Sequence, residues 1–408
     1  MHPRAGVSAA YDSNFFRDAV GEAAEPPDPV SVLRFDAGLR LETRNPSRLG
    51  VDLALEAAWR QVSALDDASP EKAIEARNGF DRAQLGVGFS LLPRSSVTVE
   101  LKGQGQYTDE PAYERVVDAG YQRLEAEFGP DFRFRPGERP ESRAFEMRLG
   151  YRFNLLRYLD AVPQLGTNRA QRDTHKFQLL TRWNFFPKTA ALLDAQFWII
   201  NYPQVNDLRD AQTAGASPDL DSTPLRIEAG LQGLLTPRLS LTARAGFAHT
   251  FNAAGKSYQG FIGRVEAEYR LAPTLKLRLG YARAVGADGF SNYYTLDRVF
   301  LDGTVNLPAR LHLTLRGGFD RYVYSTVGAT EWAPERIEPI LLGAAELGWA
   351  ATEWLSLAAS WQVENNRSDF CYRLDLVPGG CATVADPSLV ERSEYVRHVV
   401  MLKLATEY

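Results

Sequence analysis

The stretch LRFDAGLRLE at residues 33–42, followed by VDLALEAAWR at residues 51–60, decides the fold class. Apolar and polar residues alternate through both runs, so successive side chains of an extended chain point to opposite faces. One face of each strand is then apolar, and the other is charged. The charged positions are Arg34, Asp36, Arg40, Glu42, Asp52, Glu56 and Arg60.

Similar runs recur along the chain and are longer than a typical strand of about 5–6 residues. Examples begin at Val97, Phe145, Leu225, Leu275 and Leu311. Very short connections such as TPR and APT alternate with long polar ones. Tight turns at one end and long loops at the other are typical of outer-membrane barrels.

Composition excludes two other classes of protein. The chain is 45% hydrophobic and 24% charged with a mean hydropathy of -0.28, and it contains no apolar run of the ~18 residues that a membrane-spanning helix needs. Its net charge of -5 and pI near 5.7 argue against a nucleic-acid partner, which calls for a basic surface.

We therefore predict an all-β fold: a single transmembrane, antiparallel, up-and-down β-barrel of about 18 strands. It forms one outer-membrane domain over residues 1–408, with short periplasmic turns and long extracellular loops. The strand count includes a weak strand near residues 159–169. A soluble β-sandwich also alternates apolar and polar residues, but it has shorter strands and Greek-key crossovers.

One segment departs from strand character. Within a long loop at 108–141, residues 109–129 carry apolar side chains near helical spacing, which predicts a short amphipathic helix. We expect this segment either to fold inward and constrict the pore or to form an outward lid. The side chains that would do so are Tyr113, Tyr121 and Phe128.

A closed sheet places its polar face in the interior of the barrel. That interior must contain water, because burying so many charges in a dry core would cost a large desolvation free energy. Most of these groups are interpreted as salt bridges of the wall, and a minority as contacts to a solute. The predicted pore-lining residues are Arg148, Arg152, Arg182, Arg226, Glu228, Arg244, Arg264, Glu266, Lys276, Arg278, Arg310 and Arg316.

Other chemistry has little support in the sequence. Cys371 and Cys381 lie in a Pro- and Gly-bearing loop and either form a disulfide or remain free thiols. The five histidines are scattered without metal-ligand spacing, and no nucleophile elbow, Walker loop or zinc-protease motif occurs. We therefore predict no catalytic site, no metal and no cofactor.

The opening strand, with YDSNFFR at residues 11–17, and the strand pair that follows resemble the type-2 β-barrel porins associated with surface-polysaccharide export systems of the Wzx/Wzy type. The resemblance spans the chain in pattern and is sharpest over roughly the first sixty residues. It implies a lone outer-membrane barrel that passes a polymer outward together with a periplasmic polysaccharide-export protein. It assigns no binding residues.

The leading hypothesis is an outer-membrane conduit that exports an acidic or neutral surface polysaccharide. The alternatives are a general or substrate-selective diffusion porin for small polar solutes, and a structural or adhesive barrel of an envelope complex. The partners expected are outer-membrane lipids and the transported solute. The first residues have no apolar signal core, so we expect a signal peptide to have been removed before this numbering begins.

Overall fold

The computed structural model describes residues 2–15, 29–43, 46–65, 78–109, 122–137, 144–159, 171–203, 220–287, 292–325, 336–368, 371–373, 390–392 and 394–407. The strands are β1 His2–Asp12, β2 Val30–Glu42, β3 Leu49–Ala64, β4 Gly79–Leu91, β5 Val97–Asp109, β6 Gln122–Phe134, β7 Phe145–Tyr158, β8 Arg172–Phe186, β9 Thr189–Asn201, β10 Leu225–Thr236, β11 Leu239–His249, β12 Gln259–Ala272, β13 Leu275–Gly286, β14 Tyr294–Leu307, β15 Leu311–Tyr324, β16 Ile337–Ala350, β17 Leu355–Asn366, β18 Cys371–Arg373, β19 Val390–Arg392 and β20 Tyr395–Glu407.

Eighteen of these strands form one closed antiparallel sheet. Each strand from β1 to β17 pairs with the next along the chain, β17 pairs with β20, and β20 pairs with β1. The predicted barrel is therefore confirmed, with strands of 11–16 residues. The short strands β18 and β19 form a separate hairpin.

Cross-strand contacts identify the inner face of the wall. Side chains on the concave face of a curved sheet converge, so polar pairs that skip a strand must lie inside. Arg34 on β2 reaches Asp81 on β4, with Nε 2.6 Å from Oδ2, and Arg182 on β8 donates to Gln232 Oε1 on β10 at 3.0 Å. The charged side chains at alternate positions of each strand therefore face the lumen.

The opposite parity forms an outer face of exposed large apolar side chains. Leu231, Leu301 and Leu402 are 55%, 53% and 62% exposed although each lies within a regular strand. A soluble protein would bury such a surface, whereas an outer-membrane barrel places it against lipid. Among the described residues, no helix is long and apolar enough to cross a membrane.

Strand ends also have the predicted asymmetry. At one end, β8 and β9 are joined by two residues, as are β10 and β11 and β12 and β13. At the other end, longer connections join β1 to β2, β3 to β4 and β9 to β10. Outer-membrane barrels have short turns on the periplasmic side and long loops outside.

The YDSN element closes the barrel seam near its long-loop end. Arg397 on β20 donates through Nε to both carboxylate oxygens of Asp12 on β1, at 3.0 Å each. Ser13 N donates to the His398 carbonyl at 2.9 Å, and His398 N donates to Ser13 Oγ at 2.8 Å. Asn14 is fully buried and donates through Nδ2 to the Val396 carbonyl at 3.3 Å. The motif that carries the family resemblance thus joins the first strand to the last.

Replacing Asp12 with asparagine should lower the free energy of unfolding by about 2 kcal/mol, the scale of a hydrogen bond to a charged group. Denaturation of the barrel in lipid vesicles with guanidinium chloride would measure this loss of unfolding free energy. The control is Asp36→Asn, whose carboxylate lies 3.6 Å from Arg82 in a more exposed position, so its loss should stay below about 1 kcal/mol. Equal losses in the two variants would contradict a special role for the seam.

The predicted long loop at 108–141 is wrong, because β6 occupies residues 122–134 and pairs with β5 and β7. Phe128 lies on the outer face, 53% exposed, with its ring centroid 5.3 Å from that of Phe153. It therefore neither constricts the pore nor forms a lid. Tyr113 and Tyr121 lie outside the described residues, as does the part of the predicted helix at 110–121.

Two further predictions concern residues outside the described part of the chain. The predicted weak strand near 159–169 falls almost entirely within residues 160–170, and the predicted disulfide requires Cys381; the structure describes neither. The disulfide therefore stays a prediction. The strand count is nonetheless eighteen, because β6 supplies a strand that the sequence did not predict.

Candidate functional site: the charged lumen

The lumen wall is the candidate functional site, because the strands bring most of the predicted charged residues to it. Eleven of the twelve lie on inward-facing strand positions: Arg148, Arg152, Arg182, Arg226, Glu228, Arg244, Arg264, Glu266, Lys276, Arg278 and Arg316. Arg310 instead lies in the turn between β14 and β15, with a φ of 62°. It is therefore at the short-turn end and not on the wall.

A buried ionic cluster braces the wall toward the long-loop end. Asp81 sits at an irregularity in the β3–β4 register and is 1% exposed. Its carboxylate accepts from Arg34 at 2.6 Å and from Arg60 at 2.7 Å, and Arg60 also lies 3.4 Å from Asp109. We call these four residues the buried cluster. Because Arg60 and Asp81 are each 1% exposed, neither side chain is open to a solute in the lumen.

Ion pairs continue around the wall at more exposed positions. Arg152 on β7 contacts Asp131 on β6 at 2.5 Å, and Arg133 on β6 contacts Glu100 on β5 at 3.1 Å. Lys276 contacts Glu268 at 2.8 Å across the β12–β13 pair. Ion-pair partners among the described residues are thus present for six of the eleven predicted wall residues, namely Arg152, Arg244, Arg264, Glu266, Lys276 and Arg278.

One part of the wall, from β12 to β20, lines an open groove with a volume of about 790 Å³. Five arginines and three carboxylates line it, and we call it the arginine groove. Its charged residues are Arg264, Arg278, Arg298, Arg316, Arg397, Asp302, Asp320 and Glu364. Small residues Gly318, Ala344 and Ala282 also line it. The space therefore exists where the wall carries short side chains between long cationic ones.

Each carboxylate of the arginine groove already has a partner. Arg278 donates through Nε to Asp302 at 3.0 Å. Arg298 donates to Asp320 through Nε at 2.7 Å and through Nη2 at 2.5 Å. Tyr395 donates its hydroxyl to Glu364 in a short hydrogen bond. The carboxylates are therefore held in place by their own donors.

Arg316 is the exception in this groove. It faces Asp302 across the β14–β15 pair and Ala344 across the β15–β16 pair, but Asp302 is engaged by Arg278. In the part of the chain that the structure describes, Arg316 forms no ion pair and is exposed to the lumen. Its positive charge is consequently left to solvent or to a solute.

A second basic region lies on β8–β10, around the inward-facing indole of Trp198. Arg226 Cζ lies 4.4 Å from the ring centroid, and Lys176 Nζ lies 5.2 Å from it. Arg226 also donates to the Val285 carbonyl. Neither cation has an ion-pair partner among the described residues, and both contact the indole through cation–π geometry. We call these three residues the Trp198 cluster.

The sequence interpretation missed several of these side chains. Arg397 could have been found, because it has the parity opposite to the apolar residues of the last strand. Arg298 was harder to find, because Asp297 on the outward parity of β14 blurs the alternation there. Trp198 looks like an ordinary apolar wall residue, and only the strand register shows that it faces inward beside Lys176.

No family model and no curated protein matches the sequence. Several solved barrels match the whole of this chain at low identity. The siderophore receptor PirA from Acinetobacter baumannii is 9% identical with a TM-score of 0.48 over 80% of its length. OccAB4 from the same organism is 12% identical with a TM-score of 0.46 over 98%, and a mutant ferric enterobactin receptor PfeA from Pseudomonas aeruginosa is 11% identical with 0.48 over 80%. The architecture of this chain is established by its own closed strand ladder.

Proposed function

We propose that this protein is an outer-membrane conduit that exports a surface polysaccharide. The observation that carries the proposal is the eighteen-strand closed wall with a charged inner face, since barrels of about 16–18 strands leave an aqueous channel. A polymer of sugars needs a wet path of this kind, because its hydroxyl groups would lose hydrogen bonds in lipid.

The wall chemistry also fits the passage of a polymer. Ion pairs such as Arg152 with Asp131 and Lys276 with Glu268 keep many of the described wall charges occupied, so a passing sugar forms only weak, replaceable contacts. Tight binding would stall transport. The resemblance of the opening strands to polysaccharide-export barrels supports the same substrate, and the periplasmic export partner stays part of this proposal.

Deleting the gene tests the export function. We expect surface polysaccharide to be lost, small-solute uptake to change little, and the wild-type gene to restore the polymer. Staining of cell-surface polymer and an uptake assay for a small sugar would be run on the same strains. A deletion strain with normal surface polymer would contradict the export proposal.

A substrate-selective diffusion porin is the second candidate, and Arg316 favours it because an unpaired lumen cation can select among small anions. This candidate predicts the converse phenotype, in which polymer is normal and uptake of a small anionic solute falls. The two proposals therefore differ in the same pair of measurements.

A further inference from the structure

We propose that the arginine groove contains a binding site for the carboxylate group of an acidic sugar, with Arg316 as its central cation. This inference rests on the proposed function, because it names the chemical class of the exported polymer. The polymer would carry a carboxylate on some or all of its sugar units.

The first support is the pattern of ion pairs in the groove. Arg278 and Arg298 hold two of the carboxylates that line it, and Arg264 and Arg397 are held by Glu266 and Asp12, which lie outside the lining. Arg316 keeps a free guanidinium, whose forked donors match a carboxylate.

The second support is space beside that guanidinium. Gly318 lies two positions along β15 on the same face, and Ala344 is directly opposite Arg316 on β16. Neither residue carries a side chain that could fill the groove, whose volume is about 790 Å³. Binding pockets for small ligands usually measure about 300–1,000 Å³, so the groove has room for a sugar unit.

Cations also occupy the other side of the barrel. Arg148 on β7, which forms no ion pair among the described residues, is eight strand steps from Arg316 in the ring of eighteen. The Trp198 cluster lies on the strands next to it. An acidic chain in the lumen therefore meets positive charge on nearly opposite walls and can exchange one contact for another as it moves.

The test is calorimetric titration of the full-length barrel in detergent micelles with trigalacturonate, with maltotriose as the uncharged probe. We expect Arg316→Gln to weaken trigalacturonate binding by about tenfold, the loss of one charge-assisted hydrogen-bonded contact. Arg316→Lys keeps the charge and should weaken binding by less than about threefold.

Arg270→Gln is the matched control, because it removes the same charge from an arginine that is 69% exposed near a short turn. Its effect should stay below about twofold. The proposal is overturned if wild-type protein binds trigalacturonate no better than maltotriose, or if Arg270→Gln weakens binding as much as Arg316→Gln.

The outcomes separate this site from the proposed function. Binding that depends on Arg316, in a protein whose deletion leaves surface polymer normal, would support the site and reject export. Loss of polymer on deletion, with no binding of trigalacturonate, would support export and reject the site.

Discussion

Replacing Asp81 with asparagine is expected to lower the free energy of unfolding by about 3–5 kcal/mol, the cost of breaking a buried ion pair. The Asp81 carboxylate accepts from Arg34 and Arg60, with Arg60 and Asp81 each 1% exposed. The neutral side chain of asparagine leaves the positive charge of Arg60 less fully balanced, in a site from which water is excluded. Denaturation in lipid vesicles with guanidinium chloride would measure this loss of unfolding free energy.

Asp52→Asn is the matched control for Asp81→Asn. Asp52 also accepts from an arginine, Arg40, at 2.8 Å, but its side chain is 48% exposed. Water screens that pair, so we expect a change below about 1 kcal/mol. A loss from Asp81→Asn no larger than that of the control would show that burial does not strengthen the cluster.

Replacing Leu301 with arginine should lower the free energy of unfolding in vesicles by about 2–4 kcal/mol, the cost of a cation near the bilayer midplane on the lipid face. Leu301 lies midway along β14 and is 53% exposed on the outer surface. Its cross-strand neighbours are Leu279 and Gly317, which offer no carboxylate.

Two variants isolate the cause of that loss. Leu301→Ala removes contacts without adding charge and should cost less than the arginine. Thr314→Arg places a cation on the inner face, directly opposite Glu346 on the next strand, and should change stability by less than about 1 kcal/mol. If Thr314→Arg were as harmful as Leu301→Arg, the assignment of inner and outer faces would be wrong.

The barrel could be predicted from sequence because its side chains repeat with a period of two along every strand. Strand β6 was missed because the apolar residues near helical spacing at 109–129 overlap its first half, and because Gly129 and Pro130 stand in its middle, where proline lacks the N–H that a central strand donates. The β6–β7 ladder is interrupted at Gly129 and Pro130, and there the Arg152 side chain donates to the Pro130 carbonyl at 3.1 Å. That contact comes from another strand and is invisible in the local sequence.

The pattern of partners in the lumen could not be predicted in the same way. Parity places Arg278 and Arg316 on one face, but it does not show that Arg278 engages Asp302 and leaves Arg316 without a carboxylate. Such pairing depends on the register of three strands together. The YDSN motif likewise acquires a physical role only when the last strand brings Arg397 to Asp12.

Current recordings on the purified barrel in a planar lipid bilayer test most directly whether its lumen is a polymer conduit. We expect stepwise ionic conductance, interrupted by transient, voltage-dependent blockades when oligogalacturonate is added on one side, and fewer blockades in Arg316→Gln. A barrel that inserts and gives no conductance above the bare lipid would contradict the conduit.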